Sequence, residues 1–140
     1  MIRKAQITDT ETVAALMLAL WPHHSMDEMR REAQTLLSDP NILIALCDDR
    51  AFAQCGLRHD YVEGAETSPV GYLEGVYVSP ELRHQGVARA LLDYCADWAK
   101  AQGCREFASD CELDNTDSLA FHLAAGFQEA NRIICFVKKL

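Results

Sequence analysis

The chain has 140 residues, a formal net charge of −8, 49% hydrophobic residues and 24% charged residues, which is the composition of a soluble globular domain. The acidic charge argues against nucleic acid as a partner, because such binding depends on neutralising phosphates. No apolar run is long enough to cross a bilayer, and the N-terminal residues lack the apolar core of a signal peptide. We therefore expect one cytoplasmic domain over residues 1–140, with no membrane partner.

The first part of the chain has the pattern of a strand followed by a helix. Residues 1–7 predict the strand. Thr8 and Glu11 stand at the spacing of a capping box, which predicts that a helix begins there. Apolar residues then recur at helical spacing until Pro22, which disfavours a helical conformation in the residue before it.

A second helix and a hairpin are predicted next. Ser25 and Glu28 form another capping box, and the apolar stripe that follows stops at Pro40. Residues 42–47 and 51–57 are strand-like, and the short polar segment between them suits a tight turn.

The second half of the chain alternates strands and helices. After a polar loop at residues 58–69, the expected elements are a strand ending at Val78, a helix from Val87 to Gly103, a short strand at 106–111, a helix ending at Gly126 and final strands at 127–138. This order of elements predicts a mixed α/β fold. The apolar segment 133–137 is a candidate for strand pairing across a subunit boundary.

The stretch 71–89 carries the clearest functional pattern. Its first part is a strand that Gly75 interrupts, which predicts a β-bulge or a close backbone approach. After a Ser-Pro stop, the pattern Arg83-x-x-Gly86-x-Ala88 opens a helix, and the free N–H groups and dipole of a helix start favour an anion. The segment is neither a dinucleotide motif nor a Walker loop. The pattern alone leaves open that Gly86 serves only close packing.

This strand, turn and helix resemble the acetyl-CoA-binding motif of the GNAT N-acetyltransferase superfamily. Asn115, ahead of a helix that ends in Ala125-Gly126-Phe127, is a second point of similarity. The resemblance implies a single GNAT fold, with a central mixed, mostly antiparallel sheet flanked by helices, and acetyl-CoA as co-substrate. The residues implied to bind it are Val76, Tyr77 and Val78 along the pantetheine arm, His84, Gln85, Gly86, Val87, Ala88 and Arg89 around the pyrophosphate, and Asn115.

Within that superfamily the chain looks like the aminoglycoside 6′-N-acetyltransferases. The similarity lies in Leu20-Trp21-Pro22 with His24, in Arg58-His59-Asp60-Tyr61-Val62 and in Leu73-Glu74-Gly75. It implies acetyl transfer from acetyl-CoA to the 6′-amine of an aminoglycoside antibiotic, by a homodimer. The residues implied to bind this substrate are Trp21, His24, Tyr61, Glu74 and Asp110.

The residue types fit that reaction. The attacking amine must be neutral, and the carboxylate of Glu74 can accept its proton directly or through water. A backbone N–H at residues 76–78 can stabilise charge on the thioester oxygen. Asp110 and Glu74 can pair with ammonium groups, and Trp21 and Tyr61 offer faces to sugar rings or cations.

Other interpretations of these residues stay open from the sequence. Trp21 can be an aromatic at the edge of the core, Glu74 an exposed carboxylate, Asp110 the end of a strand and His24 a surface residue. His122 stands where many GNAT enzymes have a tyrosine that protonates the leaving thiolate, and helix packing suits it equally. Two other functions also remain: acetylation of another small amine or a peptide amine, and non-catalytic binding of acyl-CoA.

The cysteines and one C-terminal residue complete the set of expectations. The six cysteines show no C-x-x-C spacing and no histidine pair that would complete a zinc set, so we expect no metal site. Cys47, Cys55, Cys95 and Cys135 lie in apolar patterns that predict small core residues. Asn131 stands where some relatives of the resembled group place an acidic residue that contacts the drug, which leaves that contact without an evident counterpart.

Overall fold

The computed structural model describes residues 1–140 and contains five strands and four α-helices. The strands are β1 (Ile2–Lys4), β2 (Ile42–Cys47), β3 (Ala51–Arg58), β4 (Val70–Val78) and β5 (Phe107–Ser109), and the helices are α1 (Thr10–Leu20), α2 (Met26–Leu37), α3 (Val87–Ala101) and α4 (Thr116–Ala124). Strands neighbour one another in chain order, and every pair is antiparallel except β4 with β5, which is parallel. The predicted mixed α/β fold with a mostly antiparallel sheet is confirmed. None of the helices combines the length and apolar character that a bilayer span requires.

The sheet buries side chains on both faces, because successive residues of a strand point to opposite sides. Along β2, Ile44 and Leu46 pack with the apolar stripes of α1 and α2, whereas Leu43 and Ala45 pack with α3. Phe52 of β3 is fully buried on the α1 side. No polar or charged residue is buried in either cluster, so packing of apolar surface supplies the core.

The first helix begins later than its capping box predicts. Residues Ile7–Asp9 form a 3₁₀ turn, and α1 starts at Thr10. The side chain of Asp9, not Thr8, accepts the backbone N–H of Gln6 at 2.8 Å. The carboxylate of Asp9 also accepts a hydrogen bond from each of Nη1 and Nη2 of Arg3, both at 2.8 Å. This charged pair is stronger than a neutral hydroxyl cap. The Thr8 prediction is therefore wrong.

The second capping box is found in part. The hydroxyl of Ser25 accepts the N–H of Glu28 at 3.1 Å, as predicted. The carboxylate of Glu28 instead bonds Nδ1 of His24 at 3.1 Å. Two side chains that flank the helix start are thereby joined to one another.

The predicted final strands are absent. Residues 128–140 form no strand or helix, and they are exposed. Ile133, Phe136 and Val137 therefore lie on the surface, and Cys135, predicted as a core residue, is exposed as well. A strand needs a neighbour for its N–H and C=O groups, and no strand of this chain lies alongside the segment, so apolar and β-branched character alone does not produce a ladder. Cys47, Cys55 and Cys95 are buried as predicted.

The Arg3–Asp9 pair predicts a pH-dependent contribution to stability. The hydrogen bonds from Arg3, then that from Gln6, lower the pKa of Asp9 from 3.8 to about 2. Because the folded pKa is depressed, the contribution is present above pH ~4 and is lost as pH falls towards 2. With its side chain 15% exposed, Asp9→Asn is expected to cost about 2 kcal/mol of unfolding free energy at pH 7.

Urea unfolding followed by circular dichroism at about pH 7 and about pH 2.5 measures this difference. The matched control is Asp27→Asn, because Asp27 pairs with Arg30 but is 79% exposed. We expect the control to change stability little at either pH. An Asp9→Asn effect that is equally large at low pH would show that the ion pair is not its source.

Candidate functional site

A β-bulge in β4 places Glu74. Gln54 pairs with Gly75 and the next residue of β3, Cys55, pairs with Leu73, so Glu74 is the extra residue that β3 leaves unpaired. Gly75, where the sequence predicts the bulge or a close approach, shows the close approach: a Cβ there would lie 2.9 Å from Cζ2 of Trp21. The bulge itself falls one residue earlier, and it turns the Glu74 carboxylate out of the regular alternation.

The carboxylate faces a cleft between the first two helices and the sheet. The cleft has a volume of about 670 Å³ and is lined by three of the predicted substrate residues, Trp21, His24 and Glu74. Glu28 and Glu32 from α2 add negative charge to its wall. The fit is therefore to a cationic molecule.

Two of the lining residues are held in place by neighbours. Trp21 follows the end of α1 and packs its ring edge-on against Phe52, with centroids 6.2 Å apart. His24 bonds Glu28, and this bond lowers the pKa of the Glu28 carboxyl. Trp21 is thus both an edge of the core and part of the cleft wall, and the two sequence interpretations of this residue do not exclude one another.

Gln54 is a lining residue that sequence reasoning missed. Its side-chain oxygen Oε1 is buried and accepts no hydrogen bond within the chain. The position pairs with Gly75 directly beside the bulge. Only the register of two strands far apart in sequence brings this amide next to Glu74, so the sequence carried no signal for it.

A connected set of side chains joins Glu74 to Asp110. Nη2 of Arg58 donates to Oε1 of Glu74 at 2.7 Å. The guanidinium carbon lies 3.4 Å from the centroid of the Tyr72 ring, and the Tyr72 hydroxyl donates to Oδ2 of Asp110. Burial, and then the bond to Asp110, raise the pKa of the Tyr72 phenol well above its ordinary value.

The sequence offered a partial signal for this set. Tyr72 and Glu74 are separated by one residue in a strand, and Arg58 stands in the Arg-His-Asp-Tyr-Val block that carries the family resemblance. Neither Arg58 nor Tyr72 is among the predicted site residues, because nothing local indicates that the guanidinium reaches back to β4.

Tyr61 lies apart from the cleft. Its side chain is 80% exposed on the loop after β3, and its hydroxyl donates to Oε2 of Glu63 at 2.5 Å. The other oxygen of Glu63 accepts from Nδ2 of Asn131 at 2.6 Å. Glu106 anchors the far end of the loop by accepting the N–H of Thr67 at 2.7 Å. Glu63 therefore supplies a carboxylate beside Asn131, where the sequence left the acidic contact in doubt.

A second opening lies on the other edge of β4. β4 and β5 pair only up to Leu73 and Ser109, so the edge of β4 at residues 76–78 faces no strand of this chain. Between β4 and α3, the backbone N–H groups of residues 84–89 bond to no acceptor in the chain. These are the residues predicted to hold the pyrophosphate.

The loop that carries those N–H groups is shaped for an anion. His84 and Gly86 have φ angles of 62° and 78°, in the left-handed region, which turns successive N–H groups to one side. A Cβ on Gly86 would meet nothing within 4 Å, so the space above it is open. No acidic residue stands in the first turn of α3. A diphosphate fits this arrangement, and close packing does not explain Gly86.

Asn115 and His122 lie at the two ends of α4, and His122 contacts Ser109 at the end of β5. Asn115 caps α4, its Oδ1 accepting the N–H of Ser118 at 3.1 Å. Nδ1 of His122 donates to the carbonyl of Ser118 at 2.6 Å, and Nε2 lies 2.8 Å from the hydroxyl of Ser109. Both ring nitrogens of His122 are thus engaged within the fold, which favours the packing interpretation of this residue.

The fold thus has an acidic cleft on one side of β4 and, on the other, an open strand edge near a loop of free N–H groups. The family model for the Acetyltransferase (GNAT) family matches residues 5–127. The chain therefore belongs to the GNAT acetyltransferase family.

Proteins named as aminoglycoside acetyltransferases are similar to this chain over nearly its whole length. An aminoglycoside N(6′)-acetyltransferase type 1 of Serratia marcescens is 41% identical over 131 residues, covering 90% of each protein. The structure of AAC(6′)-Iy in complex with the bisubstrate analog CoA-S-monomethyl-acetylneamine has a TM-score of 0.92 at 38% identity, covering 100% of this chain and 98% of that one. Apo AAC(6′)-IG from Acinetobacter haemolyticus has a TM-score of 0.93 at 39% identity, covering 100% and 99%.

Proposed function

We propose that this chain is an aminoglycoside 6′-N-acetyltransferase, which transfers the acetyl group of acetyl-CoA to the 6′-amine of an aminoglycoside antibiotic. The observation that carries the proposal is the position of Glu74. Its carboxylate is set by a bulge into an acidic cleft, and the same strand borders a loop of free N–H groups. The names of relatives near 40% identity point to the same reaction.

Acetyl-CoA supplies the activated acyl group as a thioester. The N–H groups of residues 84–89 bind its pyrophosphate, with the dipole of α3 behind them. The open edge of β4 at residues 76–78 binds the pantetheine arm as an added strand would. The amide nitrogen of Asn115, which the helix cap leaves unused, donates to the same arm.

Glu74 removes the proton that prevents the substrate amine from attacking. Arg58 occupies Oε1, and Oε2 accepts no bond within the chain, so Oε2 takes the proton directly or through water. The amine nitrogen then bonds the acyl carbon, the carbon–sulfur bond breaks and coenzyme A leaves as its thiolate, while the second proton of the attacking nitrogen passes to the thiolate or to solvent. An N–H at residues 76–78 stabilises the negative charge that develops on the thioester oxygen.

The remaining predicted residues hold the polycationic drug. Trp21 in the cleft and Tyr61 on the exposed loop after β3 present aromatic faces to the sugar rings, and His24 lines the cleft beside Trp21. Asp110 and Glu74 pair with ammonium groups. The proposal places the reaction in the cytoplasm, and it includes neither nucleic acid nor a membrane as partner.

The active form is proposed to be a homodimer. Residues 133–137 are apolar, exposed and without a strand partner, and β5 is the last strand on its side of the sheet. A second copy of the chain provides the missing neighbour for this segment, and a two-fold arrangement satisfies both copies at once.

The cofactor loop is tested with Gly86→Glu. A glutamate there places a bulky anion where the pyrophosphate binds, and it strains a backbone with φ of 78°. Gly103→Glu is the matched control, since Gly103 also has positive φ and open space around it but follows the far end of α3. Calorimetry with coenzyme A should show binding lost in the first variant and kept in the second. Equal affinities in the two folded variants would refute the assignment.

The reaction itself is tested by incubating the protein with acetyl-CoA and kanamycin. The proposal expects one acetyl group added to the drug, detected by mass. Acetylation of other amines but not of kanamycin would favour the alternative substrate class, and coenzyme A binding without any transfer would favour the binding module.

Glu74→Gln is expected to lower kcat by about 10²–10⁴-fold, the range for loss of a positioned base, while the affinity for coenzyme A stays unchanged. The mutant should regain part of its rate at high pH, where more of the free amine is present. Glu112→Gln, which changes an exposed carboxylate outside the cleft, is the control. If Glu74→Gln raises KM alone, Glu74 binds the drug and another group removes the proton.

Light scattering tests the dimer. The wild type should have twice the mass of one chain, and Phe136→Asp should shift it towards a monomer, because a charge is costly in an apolar strand interface. Lys139→Asp introduces the same side chain beyond the segment and should leave the mass unchanged. A monomeric wild type at working concentrations would exclude the homodimer.

A further inference from the structure

Arg58 is a permanent cation inside a site that we propose to bind a polycation. Its Nη2 donates to Oε1 of Glu74 at 2.7 Å, and its guanidinium stacks 3.4 Å from the centre of the Tyr72 ring. Tyr72 in turn bonds Asp110. A guanidinium that stacks on a ring while it donates to a carboxylate is restricted in orientation. Both carboxylates of the site are therefore held through one arginine.

Fold stability does not account for this placement. The side chains of Arg58 and Glu74 are 43% and 39% exposed, and ion pairs with that exposure contribute little to stability. A cation at the drug site also weakens the attraction of a polycation to it. The arginine therefore has a cost for binding that its contribution to folding does not offset, which indicates a role in the reaction.

The acidic cleft creates a conflict that Arg58 can resolve. Carboxylates attract the substrate as an ammonium and favour its protonated form, yet only the neutral amine attacks an acyl group. Because Arg58 uses Oε1 of Glu74 alone, an amine can bond Oε2. That nitrogen then lies about 5 Å from the guanidinium, given ordinary hydrogen-bond lengths, and a like charge at this distance disfavours the ammonium.

We infer that Arg58 is a positioning residue that holds Glu74 by one oxygen and favours the loss to solvent of the proton carried by the amine that is bonded at the other oxygen. The step moves one proton from the ammonium nitrogen to Oε2, from which it passes to solvent, and no other bond changes. The inference rests on the proposed function, because it assumes an amine as the nucleophile.

Other charged groups face the same space, and they act on the cleft as a whole. Arg58 differs from them because it alone bonds Glu74. The remaining groups are His24, Glu28, Arg31 and Glu32 on the helical wall and Asp110 behind Tyr72.

The test separates the charge of Arg58 from its hydrogen bond. Arg58→Gln keeps a donor for Glu74 but removes the charge, and Arg58→Lys keeps the charge but loses the planar stacking on Tyr72. In profiles of kcat against pH with kanamycin, Arg58→Gln should shift the acidic limb upward by about one pH unit. Arg58→Lys should leave the limb in place and lower kcat. Arg31→Gln removes a positive charge from the same cleft without touching Glu74, and its limb should stay in place.

The inference is overturned if the acidic limb of the kcat–pH profile does not move in Arg58→Gln, or if it moves equally in Arg31→Gln. A purely structural role is recognised by lowered Tm and lost coenzyme A affinity in both Arg58 variants, with the limb unchanged. The positioning of Glu74 by Arg58 is tested in a Glu74→Gln background. Arg58→Lys should cause no further loss of kcat there, because the carboxylate that Arg58 positions is already absent.

Calorimetry makes the inference independent of turnover. Kanamycin is titrated into the coenzyme A complex in two buffers of different ionisation enthalpy, which gives the protons released on binding. The wild type should release more protons than Arg58→Gln, and equal release overturns the inference. Greater proton release by the wild type than by Arg58→Gln, without any acetylated product, refutes the proposed function and leaves the effect of Arg58 on the amine proton supported. A wild type that does not bind the drug overturns both.

Discussion

The β-bulge in β4 leaves Glu74 without a partner in β3. The next residue, Gly75, has no side chain, so the ring of Trp21 can approach the backbone there. This local irregularity connects the two halves of the site. The bulge turns a carboxylate towards the cleft on the helical side. Without a glycine beside it, a Cβ would displace Trp21 and Leu20, because both lie within 3 Å of its position. The cleft wall and the bulge therefore depend on one another.

The other consequence of β4's geometry is the open edge beyond Leu73. β5 pairs with β4 over a short stretch and then diverges, which leaves backbone groups that no neighbouring strand satisfies. Unpaired polar backbone is costly when it is buried without a partner. This edge and the N–H groups of residues 84–89 are the two sets of unpaired backbone groups that the proposed cofactor covers. His122 contacts Ser109 at the end of β5, where the pairing with β4 stops.

Charge divides the site into two regions. The cleft wall carries Glu28, Glu32 and Glu74. By contrast, the loop of residues 84–89 leads into α3, whose first turn contains no acidic residue. On the proposed function, the cationic nucleophile binds on one side of the strand and the anionic donor on the other. Two arginines, Arg31 and Arg58, place positive charge on the acidic side, and of these only Arg58 bonds Glu74.

The sequence by itself determined most of the secondary structure and the cofactor loop. Strong apolar periodicity located both faces of the core, and Ser25 capped its helix as predicted, because these signals depend on neighbouring residues. The pattern around Gly86 also predicted a loop with exposed N–H groups, whereas Glu74 was named from the resemblance to the aminoglycoside 6′-N-acetyltransferases. The start of the first helix was placed wrongly because Arg3 and Asp9 formed a stronger charged pair than Thr8 could offer.

Only the tertiary structure decided the rest. Arg58 meets Glu74, and Tyr72 meets Asp110, across separations of 16 and 38 residues, and such contacts follow from strand register, which no local pattern specifies. The same limit explains the final strands. Residues 133–137 have the composition of a strand, but composition cannot supply the neighbour whose hydrogen bonds make one.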